Sequence, residues 1–379
     1  MDRTSLLVIG AGPYGLATAA LARERGIDTT VLGHPMGFWN EHMPAGMFLR
    51  SGSDWHLDAS GVHTLEAYLE VRGIDATDVD PIPLSLFVDY ADWFRHTKGV
   101  EVREDLVRDV TRPNGRFEAI LESGAVIEAD TVVAAPGISS FTSLPPWSEP
   151  ITQDRGAHTC DLVRFDDLSG ARVLIVGGRQ SAYEWAALIG ERGAERIDIV
   201  HRHDVPRFGR VSWKFVDEYI DETLRTRGWW RRLPQEERDT IERKFWEIGR
   251  LTLEWWLTPR LARDSIHSWP GTEVVGIDQQ TVALSNGKRL PVDRIVFATG
   301  YKADLARVPY LRSMKIEVAD GFPLLNESFQ TNVPGLYVTG FAAIRDFGPF
   351  FGFVRGAAAA ASLVCAGVTA SPPESTDKV

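Results

Sequence analysis

Two glycine-rich turns limit what this chain can fold into. The first, Gly10-Ala11-Gly12-Pro13-Tyr14-Gly15, follows the apolar run 6–9. The second, Gly177-Gly178-Arg179-Gln180-Ser181-Ala182, follows Arg172-Val173-Leu174-Ile175-Val176. In each, a short strand enters a tight turn that small residues permit, and a helix starts inside the turn. Such a unit aims backbone N–H groups and a helix N-terminus at a pyrophosphate. One unit implies a bound dinucleotide. Two units imply two dinucleotides and electron transfer between them.

Bulk properties narrow the class further. The 379 residues suffice for two domains of ordinary size, and 44% hydrophobic with 25% charged residues is a globular composition. A formal charge of −11 argues against a nucleic-acid or anionic-membrane surface. Cys160 and Cys365 form no CxxC pair, which argues against a disulfide framework, a dithiol redox centre or a cysteine zinc site. His34, His42, His56 and His63 lack companion cysteine or carboxylate spacing, so no metal is expected. The run 6–9 is too short for a signal peptide, and the alanine-rich run 356–361 is too short to span a membrane; a cytoplasmic protein is expected. The polar tail 369–379 is expected to be flexible.

Residues 5–32 read as strand, turn, helix and a second strand at 27–32, with Leu16, Ala19, Ala20 and Ala22 facing a sheet. Residues 33–65 have no period and are rich in Gly, Pro, Met, Trp and His, as in ligand-contact loops. A hairpin at 117–122 and 125–128 precedes a strand at 131–135, which ends in Ala135-Pro136-Gly137. The pattern returns at 282–284, Asn286-Gly287, Leu290 and 294–298, ending in Thr299-Gly300. The expected fold is therefore α/β, with two Rossmann-like dinucleotide-binding domains, the second inserted in the first. The first would comprise 1–137 and 301–368, and the second 138–300. Within the second lies a helical, charged insertion at 212–265, rich in tryptophan: Trp213, Trp229, Trp230, Trp246, Trp255 and Trp256. Neighbouring tryptophans cannot both face inward from one helix face. One of each tandem pair therefore reaches a cleft, a partner or solvent. Helix packing, a cover over a substrate and a dimer interface are all compatible.

This arrangement resembles the two-dinucleotide-binding-domain flavoproteins. Among them it is most similar to the flavin-containing monooxygenase-like group, with its amine N-hydroxylases and Baeyer–Villiger enzymes. The motifs are the two turns, the strand stop Ala298-Thr299-Gly300-Tyr301, and Pro334-Gly335-Leu336-Tyr337 leading to Gly340. The resemblance implies FAD in the first domain and NADPH in the second. Gly10, Gly12, Pro13 and Gly15 would face the FAD pyrophosphate, and Val107 the adenine. His34 stands where the family has a ribose-binding acid, and can itself bond a hydroxyl. Trp39, Arg50 and Asp54 lie where the family wraps the flavin. Gly137, Gly340 and Gly348 complete the implied FAD contacts, with the Gly348-Pro349 helix start aiming partial positive charge at the flavin N1/C2 edge. On the NADPH side the implied residues are Gly177, Gly178, Arg179, Gln180, Ser181, Arg202, Thr299 and Gly300. Arg179 takes the position of Gly12, where its side chain either blocks the nucleotide or folds outward and pairs with a phosphate. A cation at Arg202, about twenty residues beyond the turn, suits the 2′-phosphate of NADPH. Trp213, Trp229 and Phe350 are the implied substrate contacts. The family's linker signature FxGxxxHxxx(W/F/Y) is absent, and only His158 corresponds to its histidine.

The function this implies is an NADPH-dependent FAD monooxygenase. It would oxygenate a small hydrophobic or aromatic molecule with O2 through a C4a-hydroperoxyflavin, with no nucleic-acid or membrane partner; a homo-oligomer stays open. Flavin-centred chemistry needs no Ser/His/Asp set and no carboxylate pair. The alternative is an FAD oxidase or dehydrogenase that takes electrons from its substrate without NADPH.

Overall fold

The computed structural model describes residues 2–152 and 154–370. Two sheets organise the chain. The first has seven strands, in the order Val102–Arg103, Thr29–Leu32, Asp2–Ile9, Val126–Ala134, Phe117–Leu121, Val107–Thr111, with Leu336–Val338 also paired to Val126–Ala134. The Val126–Ala134 strand serves two neighbours along one edge. Its first half pairs antiparallel with Phe117–Leu121, and its last three residues pair parallel with Leu336–Val338. The hairpin thus leaves an edge free, and the chain returns after some two hundred residues to fill it. Leu6, Leu7 and Val8 are fully buried, as expected of a strand covered on both faces. The helix Pro13–Glu24 lies over them and packs against the last helix, Gly356–Ala370.

The second sheet has five parallel strands, in the order Ile266–Pro270, Arg196–His201, Arg172–Val176, Arg294–Phe297, Gly156–His158. The helix Gln180–Glu191 follows its central strand, and nine consecutive residues, 182–190, are buried. The two sheets repeat one device. Gly10 (φ +108°) and Gly177 (φ +140°) turn where a Cβ would strike the carbonyl oxygen of Ala135 and of Ala298, each at the end of the adjacent strand. The α/β fold with two Rossmann-like units is the one the two turns predict.

Several elements differ from expectation. The expected strands 125–128 and 131–135 are one strand of nine residues. The expected helix at Gly348-Pro349 is a short 3-10 turn, Pro349–Gly352; the long helix begins at Gly356 and runs to Ala370. The tail expected from 369 therefore starts inside this helix, and 371–379 lie outside the described residues. The 212–265 segment contains the helices Phe215–Arg225, Trp229–Arg232, Gln235–Gly249 and Leu257–Leu261, and the strand Thr252–Glu254, which pairs with Arg207–Gly209. Its first half does not pack on the second unit. Trp213, Val216, Ile220, Trp230 and Phe245 join the core beneath the first sheet, whereas Leu253, Trp256 and Leu257 join the second. Periodicity gives a helix an apolar face but does not say which core receives it.

A Cβ on Gly15 would collide with the Gly10 carbonyl oxygen, backbone against backbone, with no flexible group to yield. Gly15→Ala is expected to destabilise the protein by about 1–3 kcal/mol, read as a lower urea midpoint. An unchanged midpoint would show that the helix can lift off its strand without cost.

Candidate active site

One large cleft, about 1190 Å³, runs from the second glycine turn to an aromatic wall. Small-molecule pockets usually measure about 300–1,000 Å³, so this cleft lies above that range. It brings together Gly177, Gly178, Arg179, Gln180, Ser181, Arg202, Thr299 and Gly300 with Trp39, Arg50 and Trp213. The other sequence-derived residues, Gly10, Gly12, Pro13, Gly15, His34, Asp54, Val107, Gly137, Gly340, Gly348, Trp229 and Phe350, do not line it.

The first turn nonetheless fits a dinucleotide. Gly12 is the N-cap of Pro13–Glu24, with an ordinary φ of −82° and no side-chain cap. The space where its Cβ would stand holds nothing within 4 Å. An uncapped helix N-terminus facing open space is what an anion needs. Gly10 and Gly15 serve packing instead. Tyr14, which the sequence reading passed over, fastens the turn. Its half-buried hydroxyl lies against the carbonyl of Phe351 and, at 2.8 Å, that of Phe353, and its ring lies over Gly340. Burial holds its pKa well above the usual phenol value. His34 sits beyond Gly33 with Nδ1 3.3 Å from Glu41, both side chains partly exposed. Val107 lies at the start of the edge strand Val107–Thr111, half-buried. Asp54 lies close to Gly52, and Gly137 turns at φ +65° into open space.

Arg50 is not free for a flavin. Its Nε pairs with Glu254 at 2.9 Å, one terminal nitrogen donates to Thr252 O at 2.9 Å, and the other donates to Gly249 O. Glu254 is 3% exposed, and burial raises its pKa against the opposing pull of Arg50. The expected flavin contact is therefore a tie between the 47–51 loop and the helical segment. Gln180 is engaged as well. Its carbonyl accepts from Glu254 N at 3.1 Å, and its amide donates to Glu184 at 2.8 Å. Glu184 is fully buried and pairs with Arg260 at 3.2 Å. Burial outweighs that partner and pushes its carboxyl up to about 7.

Gly178 lines the cleft, but its missing Cβ is required by His201, whose ring occupies that space. His201 is itself held by Tyr183 Oη and by the His203 carbonyl, both at 3.0 Å. Arg202 is 75% exposed and only 3.7 Å from an exposed Glu273, so its guanidinium is available to a ligand. Arg179 has extended backbone (φ −112°, ψ −175°), so the substitution for glycine carries no strain. Its side chain folds outward along the wall, donating to Arg250 O at 3.0 Å and lying 5.0 Å from the centre of the Trp246 ring.

The aromatic residues divide. Trp213 is 6% exposed in the cleft wall against Phe245 and Phe353, and its Nε1 has no partner among the described residues. Trp229 and Phe350 do not line the cleft. Both stack on Tyr219, and Phe350 is 1% exposed against Trp230, inside an aromatic core. Gly348 is the N-cap of the short 3-10 turn Pro349–Gly352 rather than of a long helix, and a Cβ there would strike the Phe350 ring. Packing of the 349–353 hook against the helical segment, which no local spacing encodes, decides this. Among metal donors, His42, Cys160 and Asp161 do come within 4.8 Å. Burial and Asp161 push the Cys160 thiol up to about 11, so it stays protonated, and His42 Nδ1 is spent on Cys160 O at 2.8 Å. Cys365 is equally buried, its thiol also pushed up to about 11.

The model of the pyridine nucleotide-disulphide oxidoreductase family matches residues 4–243 and 250–360. A FAD-dependent urate hydroxylase of Xanthomonas campestris is 30% identical over 224 residues, covering 54% of this chain and 47% of that protein. A ferredoxin–NADP reductase of Sulfurisphaera tokodaii is 26% identical over 230 residues, covering 60% and 57%. The chain thus spans about half the length of the curated relatives it matches. Ornithine hydroxylase from Pseudomonas aeruginosa superposes with a TM-score of 0.77 at 16% identity, over 97% of this chain and 98% of that one, a likeness of fold.

Two measurements test the site. Gly12→Ala is expected to leave the apoprotein's urea midpoint within about 0.5 kcal/mol while weakening FAD binding by roughly 10- to 100-fold, the loss of a charged hydrogen bond. Unchanged FAD affinity would remove this turn from the cofactor site. Glu184 titrates higher folded than unfolded, so the folded state holds an extra proton between the ordinary carboxyl range and about 7. Stability must fall as pH rises through that window. Glu184→Gln should flatten the dependence of melting temperature on pH between about 5 and 8; an equally steep curve would place the slope elsewhere.

Proposed function

The chain belongs to the pyridine nucleotide-disulphide oxidoreductase family, and we propose that within it this FAD-dependent oxidoreductase is an NADPH-using monooxygenase of a small hydrophobic or aromatic molecule. In this reading 1–137 and 301–368 hold FAD, and 138–300 hold the nicotinamide nucleotide. The observation that carries it is the single cleft, in which the second glycine turn and the aromatic wall of Trp39, Trp213 and Phe353 face one space. A hydride donor and an apolar substrate would meet the same flavin there. Bound FAD would supply hydride acceptance and O2 activation, chemistry that no side chain offers. The chain's own residues bind, orient and exclude water. The Gly12 N–H and the N-terminus of the Pro13–Glu24 helix would take the FAD pyrophosphate. Arg202 would take the 2′-phosphate of NADPH. The wall of Trp39, Trp213 and Phe353 would keep water from the reacting centre. Thiol–disulfide chemistry by this chain's cysteines finds no support, because both are buried and protonated. Among the described residues no helix is long and apolar enough to cross a membrane.

The second reading, an FAD oxidase or dehydrogenase without NADPH, has one observation in its favour. Gln180, in the turn that would meet the nucleotide, is already bonded internally on both its amide atoms. Anaerobic titration of the FAD-loaded protein separates the two. The monooxygenase reading expects NADPH to bleach the flavin band faster than NADH. It also expects Arg202→Gln to cost roughly 10- to 100-fold in affinity for NADPH but not for NADH. Bleaching by a reduced substrate with no response to either nucleotide would favour the second reading.

A further inference from the structure

Arg250, at the C-cap of the Gln235–Gly249 helix, and Arg179, at the N-cap of Gln180–Glu191, bring two cationic side chains to one ring with no ion-pair partner for either among the described residues. Trp246, 43% exposed, lines the cleft. The Arg250 guanidinium lies 4.5 Å from the centre of its ring, and the Arg179 guanidinium lies 5.0 Å from it. Arg179 also donates to the Arg250 carbonyl, so the two residues are fastened together across the cleft wall. Neither has a carboxylate within ion-pair distance among the described residues, and Arg179 has only the His203 ring nitrogen, at 3.3 Å, as a side-chain hydrogen-bond partner. Another cleft arginine, Arg50, is paired closely with the buried Glu254, whereas the exposed Arg202 has only a loose contact, 3.7 Å, with an exposed Glu273. Burial, together with the charges of Arg179 and Arg50, holds the Arg250 pKa down to about 10. Two like charges held together in a partly desolvated wall repel unless an anion joins them. A second feature points the same way. Arg179 is the N-cap of the twelve-residue helix Gln180–Glu191 and makes no side-chain cap, so the partial positive charge of the helix end faces the same space.

We propose that Arg250 and Arg179, braced on Trp246, form a clamp for the diphosphate of the nicotinamide nucleotide, which makes the tryptophan-rich segment part of the nucleotide site rather than only a substrate cover. The assignment rests on the NADPH reading above. It replaces part of the backbone approach that a glycine at 179 would have given with side-chain charge, half of it supplied from a different part of the chain. Arg202 has a separate task, since the 2′-phosphate stands on a different carbon of the adenosine ribose.

ADP-ribose tests the clamp, because it carries the diphosphate but neither nicotinamide nor 2′-phosphate. Its affinity for the FAD-loaded full chain is measured by calorimetry, with NADPH alongside. Arg250→Gln and Arg179→Gln should each weaken both ligands by roughly 10- to 100-fold and flatten the salt dependence of binding. Arg202→Gln should weaken NADPH alone. Arg250→Lys, which keeps the charge and the packing stem, should fall between wild type and Arg250→Gln. It decides the matter if Arg250→Gln fails to hold FAD. Wild-type binding of ADP-ribose that is unchanged by Arg250→Gln, or by Arg250→Lys in a protein that folds, overturns the clamp and leaves the NADPH reading standing. No wild-type binding of either ligand overturns both.

Discussion

Two tight backbone passages set the rest. At each unit's first turn the chain must pass directly beside the carbonyl of the neighbouring strand, Ala135 in one case and Ala298 in the other. Only glycine at 10 and 177 allows this. The consequence is geometric: the following helix begins at the carboxyl edge of the sheet, and its first turn has no side-chain cap. At the first turn a second glycine contact, Gly15 over the Gly10 carbonyl, draws the helix in further. The second turn has Ala182 there and tolerates a methyl group. The two units are variations on one device, and the tighter one has the open space before Gly12.

What joins the units is a strap rather than a shared sheet. The 212–265 segment gives its first tryptophans and Phe245 to one core, and Leu253, Trp256 and Leu257 to the other. Arg50 and Glu254 tie its middle to the loop after the first unit's second strand. Glu254 then connects through Gln180 to Glu184 and Arg260, a buried polar chain from the cleft to the surface. Burying an unpaired charge costs several kcal/mol, so each member of this chain requires the next. The cleft is therefore held open by polar bonds on one side and by the Trp213–Phe245–Phe353 stack on the other.

The site was unevenly legible. The glycine turns, the strand stops and the exposed Arg202 are local patterns, and local patterns survive in sequence. Arg50 was legible as a cleft residue but not in its role, because its partner is two hundred residues away. Trp229 and Phe350 read as substrate contacts, but both stack on Tyr219 away from the cleft, Phe350 in the core and Trp229 against it, which local aromatic spacing does not distinguish. Tyr14 and Arg250 left no signal at all. Their meaning comes from the 351 and 353 carbonyls in one case, and from Trp246 and Arg179 in the other.

The sequence by itself determined the α/β class, the two nucleotide-type turns and the rough repeat of strand, hairpin and small-residue stop. These depend on steric rules that act within a few residues of the chain. The tertiary structure decided which core each tryptophan enters, which arginines are neutralised and which are left facing the cleft. Those outcomes depend on long-range contacts, and burial makes them decisive: a guanidinium opposite a buried carboxylate is a brace, while the same group beside a second guanidinium is a place for an anion.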